Sequence, residues 1–191
     1  MAQLFFALLY IAAILSLFYG LWTIIPVFYG STWIPTEKDR IRKALEMVEL
    51  KPNELLYDLG AGDGRVLFIA EEEFGVRAVG IERAFLQAMF IKARIFFGGK
   101  QAQIHARREN FYQSDLSDAD VVFVYLRVDQ AIPLQEKLEK ELKAGARVVA
   151  LSADFLEWKP KIFDDMQLIF VYEMPPQKGG LGLYFAEQED F

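Results

Sequence analysis

The chain has 191 residues, enough for one α/β domain with a sizeable core and too few for two full domains with linkers. It contains no cysteine and a single histidine, His105, which excludes disulfides, thiolate nucleophiles, Cys-ligated metals and a multi-histidine metal site. A formal net charge of -6 and a pI near 5.0 exclude the global basic surface that non-specific nucleic-acid binding requires, so neither a metal nor a nucleic acid is an expected partner.

From Met1 to Thr36 no side chain is charged, and most of the stretch is apolar. About 20 helical residues cross a hydrocarbon core of about 30 Å, so residues 1–30 are expected to form one transmembrane anchor and residues 31–191 the globular domain. A cleaved signal peptide would need a basic leading region, a short apolar core and a small-residue cleavage site, a pattern this stretch does not match. Tyr10, Tyr19, Trp22, Tyr29 and Trp33 gather partly toward its far end, as interfacial aromatics do, and Pro26 is expected to kink or end the helix. Lys38, Arg40, Arg42 and Lys43 follow directly, so the positive-inside rule places the globular part in the cytoplasm.

Residues 37–48 carry Ile41, Ala44, Leu45 and Val48 at the spacing of an amphipathic helix. After the turn "KPNE" the pattern predicts a strand at 55–59, a helix at 64–74, a strand at 76–81 and a helix at 85–97. A short strand at 103–106, the apolar strand "DVVFVYL", the helix "QAIPLQEKLEKELKAG" and the strand "ARVVALS" follow. Continuous apolar strands between amphipathic helices indicate a parallel sheet covered on both faces. The stretch "MQLIFVYEMPPQKGGLGLYFAEQ" reads as two strands joined through Pro175, Pro176, Gly179 and Gly180, a C-terminal antiparallel hairpin. The bases Lys92, Arg94, Lys100, Arg107 and Arg108 read as a solvated face.

The unit "LLYDLGAGDGRVLFIAEEEFGVRAVGIE" is strand, glycine turn, helix and strand, and such a unit can hold NAD, a nucleotide phosphate or S-adenosylmethionine. A dinucleotide turn needs G-x-G-x-x-G, but Arg65 stands at the third-glycine position, and no Gly-Lys-Ser/Thr follows as a phosphate loop requires. What stands instead is Asp58, Gly60, Ala61, Gly62 and Gly64. A cofactor without phosphates needs backbone close to an amino acid and a sugar, with a carboxylate near its cationic end, and Asp58 with the glycines suits that ligand. Glu82, at the end of the next strand, can accept hydrogen bonds from a ribose diol, which serves NAD and S-adenosylmethionine alike. Asn110 and Phe111 fall where the third strand leaves the sheet, suited to an adenine amine and ring or, equally, to a polar loop beside a core phenylalanine.

Through "DLGAGDG", the acid of "GIE", "ENFY" and the terminal hairpin, residues 36–191 resemble the seven-strand S-adenosylmethionine-dependent methyltransferases. Through the uncharged anchor, "GSTWIPTEKDRI", "LYDLGAGDGRV", "NFYQSDLSDADVVFVYL" and "LEKELKAGARVVAL", the chain is similar to the membrane-anchored lysine methyltransferases whose mitochondrial members modify the ATP synthase c subunit and the adenine nucleotide translocase. The resemblance implies a Rossmann-like seven-stranded sheet, S-adenosylmethionine as cofactor, and a flap over it at Pro35 and Thr36. It also implies a protein-lysine substrate, in a membrane protein beside the bilayer. Methylation of a lipid or small hydrophobic molecule, or a non-catalytic cofactor-binding membrane module, would use the same anchor. A lysine must be neutral to attack a methyl group, which aromatic walls favour by desolvation. Trp33, Tyr125 and Trp158 are candidates for such a channel, each with anchoring or core packing as its alternative. Asp115 is suited to contact substrate or to cap a turn, and Asp129 to attract a cationic substrate or to cap the helix after the fourth strand.

Overall fold

The computed structural model describes residues 1–28, 36–125 and 127–189. Trp33 and Pro35 therefore lie outside the described residues. Five mostly apolar strands pair in parallel: β1 (Leu55–Leu59), β2 (Arg77–Ile81), β3 (Ile104–Arg107), β4 (Val121–Tyr125) and β5 (Arg147–Leu151). Two more, β6 (Ile162–Asp164) and β7 (Ile169–Glu173), join antiparallel and complete a seven-stranded sheet in the order β3-β2-β1-β4-β5-β7-β6. The helices are α1 (Ala2–Phe28), α2 (Lys38–Met47), α3 (Arg65–Phe74), α4 (Phe85–Phe97), α5 (Val128–Glu141) and α6 (Gly180–Glu189).

Alternation along the strands divides the interior into two cores. Leu56, Ala78, Val121 and Phe123 meet Ile41, Leu45, Leu67, Ile91 and Ile95 of α2, α3 and α4 on one face. Leu55, Tyr57, Val122 and Val148 meet Leu134 and Leu138 of α5, with Phe155 and Trp158, on the other. The amphipathic spacing read for α2 is realised, since Ile41, Ala44, Leu45 and Val48 are all buried. Arg147 ties the far end of α2 to the sheet, donating to the Val48 and Glu49 carbonyls at 2.8 and 2.7 Å and pairing with Glu54.

Two expectations need correction. The C-terminal hairpin exists, but its strands are β6 and β7, and residues 180–189 form α6. The three-residue β6 was hidden in the charged stretch "KPKIFDDM", while "LGLYFAEQE" lacks a strand's alternation and turns Tyr184 and Phe185 onto Phe163 as a helix. Pro26 lies in the last turn of α1, which is described to Phe28. Arg127, not Asp129, caps α5, and Asp129 sits in its first turn 3.1 Å from the Arg127 guanidinium.

The helix α1 is the one candidate span among the described residues, with Ala2–Ile24 long and apolar enough to cross a membrane. It leaves the domain exposed until Trp22, which is buried. Trp22 stacks edge-on against Phe90 of α4 at 5.0 Å, and its carbonyl accepts a 2.8 Å hydrogen bond from the buried Gln87 amide.

Trp158 is wholly buried in an aromatic cluster with Phe155 and Tyr172, at ring distances of 4.6 and 5.4 Å, and donates its indole N–H to Glu139. It belongs to the core and lines no channel. Trp158→Ala should therefore cost about 3 to 5 kcal/mol of stability, as large-to-small aromatic truncations do, with Trp158→Phe losing less. Urea denaturation of both variants checks this, and a Trp158→Ala chain of unchanged midpoint would contradict it.

Candidate active site

The strand order reverses at β1, which pairs with β2 on one side and β4 on the other. Helices leaving neighbouring strands in opposite directions open a crevice at the carboxyl ends there, the usual ligand position in such sheets. Leu59 is level with Ile81 and with Val124, so the next residues across the crevice are Glu82, Gly60 and Tyr125. Strand alternation puts Asp58, Glu82 and Tyr125 on the face covered by α2, α3 and α4.

The glycine turn is fixed to β2 from both directions. The Gly60 and Ala61 N–H groups donate to the Ile81 carbonyl at 2.8 and 3.1 Å, and the Gly62 N–H donates to Glu82 Oε2 at 2.9 Å. Gly60 has φ +88, where side chains are strained, and a Cβ there would meet nothing within 4 Å, so the chain above it borders open space. Gly64 has φ +78 and caps α3, its N–H donating to the Ala61 carbonyl at 2.7 Å.

Glu82 spends one oxygen on Gly62 and the other on the Ala84 N–H at 2.7 Å. A carboxylate has about four lone-pair sites, so with the Arg83 N–H also directed at it Glu82 keeps room for a hydroxyl donor. Burial raises the Glu82 carboxyl, against the lowering effect of the Ala84, Gly62 and Arg83 N–H groups. Asp58 is 3% exposed. Burial, then the carboxylates of Glu82 and Asp63, hold its carboxyl well above the ordinary range. A cation placed at the crevice would relieve that penalty and favour the ionised form.

Two arginines brace the crevice. Arg65 forks onto Asp63, Nε to Oδ1 at 2.9 Å and Nη2 to Oδ2 at 2.6 Å, and its Nη1 donates to the Thr36 carbonyl at 2.6 Å. Burial would raise the Asp63 carboxyl, but the Arg65 hydrogen bonds and charge hold it below its usual value. Thr36 is thus fastened beside the glycine turn, where the chain enters the domain. On the other side, Arg40 of α2 lies over the Tyr125 ring, 5.5 Å from its centroid. Arg40 Nη2 donates to Ser152 at 3.0 Å and to the Gln167 carbonyl at 2.6 Å. Tyr125 is half-buried beneath it.

Asn110 and Phe111 follow the end of β3. Asn110 Oδ1 accepts the Tyr112 N–H at 3.2 Å in a local turn, and Phe111 packs on Tyr112 at 4.4 Å, both residues partly accessible. Asp115 caps a turn through the Ser117 N–H at 3.0 Å, the turn-capping role of its two sequence readings. Sequence reading missed Arg65 and Arg40 as structural parts of the site. Arg65 was legible in the Asp-Gly-Arg spacing, because an Asx residue commonly binds the chain two residues on. Arg40 had no local signal, since its partners lie 112 and 127 residues away.

A reversed parallel sheet with an antiparallel end, an acid before a glycine turn and a second acid at the end of β2 define a seven-strand S-adenosylmethionine-dependent methyltransferase. The open space above Gly60, the remaining acceptor capacity of Glu82 and the buried Asp58 carboxyl fit that cofactor. Residues 58–162, more than half of the chain, match the ANTKMT methyltransferase domain, and the chain belongs to that family. It is 35% identical to the protein-lysine N-methyltransferase of Saccharolobus islandicus over 68% of this chain and 81% of that protein. It is 30% identical to the mouse lysine N-methyltransferase of the ATP synthase c subunit over 77% of this chain, spanning 60% of the mouse protein's length. Among solved structures, the RNA methyltransferase of Salinibacter ruber in complex with S-adenosyl-L-homocysteine is similar at a TM-score of 0.73 and 28% identity, over 76% of this chain and 97% of that one.

The position of Asp58 has a measurable consequence. Its folded carboxyl lies above the ordinary value of about 3.9, so its contribution to stability is complete below that value and is lost as the pH rises through the folded value. Asp58→Asn removes this loss. The melting temperature of the cofactor-free variant should exceed that of the parent by a margin that widens from about pH 4 to about pH 8, while other carboxylates cancel in the difference. A margin independent of pH would show that Asp58 ionises normally.

Proposed function

We propose that this chain is a membrane-anchored enzyme that transfers a methyl group from S-adenosylmethionine to the ε-amino group of a lysine in a membrane-embedded protein. The observation that supports the reading is the row formed by Glu82, Gly60 and Tyr125 at the sheet reversal, where a cofactor held by Glu82 and Gly60 would lie beside a substrate lysine at Tyr125. Kinship with protein-lysine N-methyltransferases supports the substrate class. The cofactor would lie against Asp58, Gly60, Ala61, Gly62, Gly64 and Glu82, with Asn110 and Phe111 at its adenine and the Pro35–Thr36 segment over it. S-adenosylmethionine supplies a methyl carbon already activated by the adjoining sulfonium, so no metal is needed to make it electrophilic.

The chain's own task is alignment and control of one proton. A substrate ammonium has no lone pair, so it must shed its proton before its nitrogen can attack. Tyr125, with Trp33 at the other wall, would strip water from the lysine stem. Arg40 is bound by carbonyls and a hydroxyl rather than a carboxylate, and its positive charge over the Tyr125 ring disfavours a second cation there. The proton leaves to solvent, and the amine then needs only to be held in line with the methyl carbon.

The anchor would be α1, with the domain on the cytoplasmic side and membrane substrates at raised local concentration. The contact of Trp22 with Gln87 and Phe90 supports an anchor that would end before Trp22 rather than at residue 30. Deleting residues 2–20 should make the chain extractable by alkaline carbonate while leaving cofactor affinity within about twofold. Loss of cofactor binding would show α1 to be part of the fold.

Transfer of labelled methyl groups to source membranes, followed by mass spectrometry, tests the reaction, with extracted lipid and total RNA as competing acceptors. Label on a protein lysine is the expected outcome. Label confined to lipid or RNA would replace the substrate class, and binding without transfer to any fraction would favour a non-catalytic module. Independently, Glu82→Gln should weaken S-adenosylmethionine binding by about 1 to 3 kcal/mol in titration calorimetry, since one charged acceptor is lost. Unchanged affinity would remove Glu82 from the site.

A further inference from the structure

The outer face of α4 is apolar apart from Lys92. Phe85, Met89, Phe96 and Phe97 are 47%, 52%, 66% and 84% exposed, and the exposed part of Phe90 continues the stripe to Trp22. Buried Ile91 and Ile95 hold the opposite side of the helix to the sheet, so this stripe is not a misplaced core. Monomeric proteins seldom leave several large apolar side chains contiguous in water without a use for them.

The sequence around the stripe is basic. Residues 83–108 contain Arg83, Lys92, Arg94, Lys100, Arg107 and Arg108 and no acidic residue, in a chain whose net charge is -6. Since Lys100 is paired with Glu71 at 2.6 Å, Arg94 donates to the Asp63 carbonyl and Arg107 lies over Tyr57 on the sheet's other face, Lys92 and Arg108 are the bases that border the stripe. Lys92 is exposed between Met89 and Phe96, and the Arg108 guanidinium lies over the Phe85 ring at 5.3 Å. Phenylalanines flanked by lysine and arginine on an exposed helix face are the composition of an interfacial amphipathic helix.

The depth follows from α1. Its 20 residues from Ala2 to Leu21 rise about 30 Å, matching a hydrocarbon core of about 30 Å. Trp22 is the next residue, at the level where interfacial aromatics sit, and it is packed on Phe90 and bonded to Gln87 of α4. A spanning α1 would, through the same contact, hold α4 at the level of the headgroups.

We propose that the exposed face of α4 is a second membrane contact, which lays Phe85, Met89, Phe96 and Phe97 into the headgroup region and sets its bases against anionic lipid. The proposal rests on the reading of α1 as a membrane span. Because α2, α3 and α4 cover the same face of the sheet as Asp58, Glu82 and Tyr125, this contact would hold the crevice near the bilayer surface rather than leave the domain to swing on its anchor.

The absence of cysteine allows single labelling sites in the full chain. Leu8→Cys in α1, Phe97→Cys on α4 and Lys140→Cys on α5, across the sheet, each carry an environment-sensitive fluorophore after reconstitution. The vesicles are phosphatidylcholine with or without phosphatidylglycerol, doped with nitroxide-labelled lipid. Quenching at 97 should exceed that at 140 by about twofold or more, increase with phosphatidylglycerol and weaken with added salt. Quenching at 8 with 97 no greater than 140 overturns the α4 contact and leaves the anchor standing. Quenching at 97 without 8 overturns the spanning anchor and keeps α4 as the attachment, while quenching at neither overturns both. Shielding of the 97 label that grows with protein density but not with lipid quencher would assign the face to a protein and overturn the lipid contact.

Discussion

The reversal of strand order at β1 is the constraint on which the other features of this structure depend. A strand paired on both sides is satisfied in its own hydrogen bonds, yet its carboxyl end is where chains turn away from one another. The parallel register then determines which residues meet. Glu82, Gly60 and Tyr125 reach one row because Ile81, Leu59 and Val124 are level. No contact between their side chains is needed to bring them there. The sheet's two aliphatic cores fix the row from beneath, and neither core contributes a polar atom to it.

Polar groups near the row are placed at some cost to stability. Asp58 is buried close to the carboxylates of Glu82 and Asp63, where its ionised form is disfavoured. Asp63, five residues on, is forked by Arg65 and stays ionised. Two acids in one turn are thus driven in opposite directions by their surroundings. Such divergence is the electrostatic pattern of a site that a bound cation would stabilise. Arg65 also holds Thr36, which couples the entry of the chain from α1 to the geometry of the glycine turn.

The same face of the sheet carries both the crevice and the helices that lead to α1. Trp22, Gln87 and Phe90 make one small joint between a long apolar helix and a folded domain. A joint of this kind restricts orientation far more than a flexible linker would, since the donor and acceptor must remain within hydrogen-bonding distance. Were substrates of the proposed kind to lie in a bilayer spanned by α1, a fixed orientation and a raised local concentration would reinforce each other.

Much of this was legible in the sequence, because local pattern decides it. Alternation of apolar runs with amphipathic spacing marked the five parallel strands and α2 to α5 within a few residues, and the acid-glycine turn followed by Glu82 marked the cofactor class. These signals need only neighbours along the chain. The β6 strand did not show, since three residues among charges become a strand only when β7 offers them a ladder, and "LGLYFAEQE" became α6 because Phe163 was there to receive its aromatics. Trp158 could not be assigned between channel and core until Phe155, Tyr172 and Glu139 surrounded it. Arg40 over Tyr125 and Gln87 on Trp22 join residues 85 and 65 positions apart, and a pairing at such separation has no signature in either segment. Sequence by itself determined the elements and the chemical class of the turn, because hydrophobic period and backbone freedom are local properties. Which side chains share the crevice, and which helix faces the anchor, only the tertiary structure decided, because those neighbours are created by strand order.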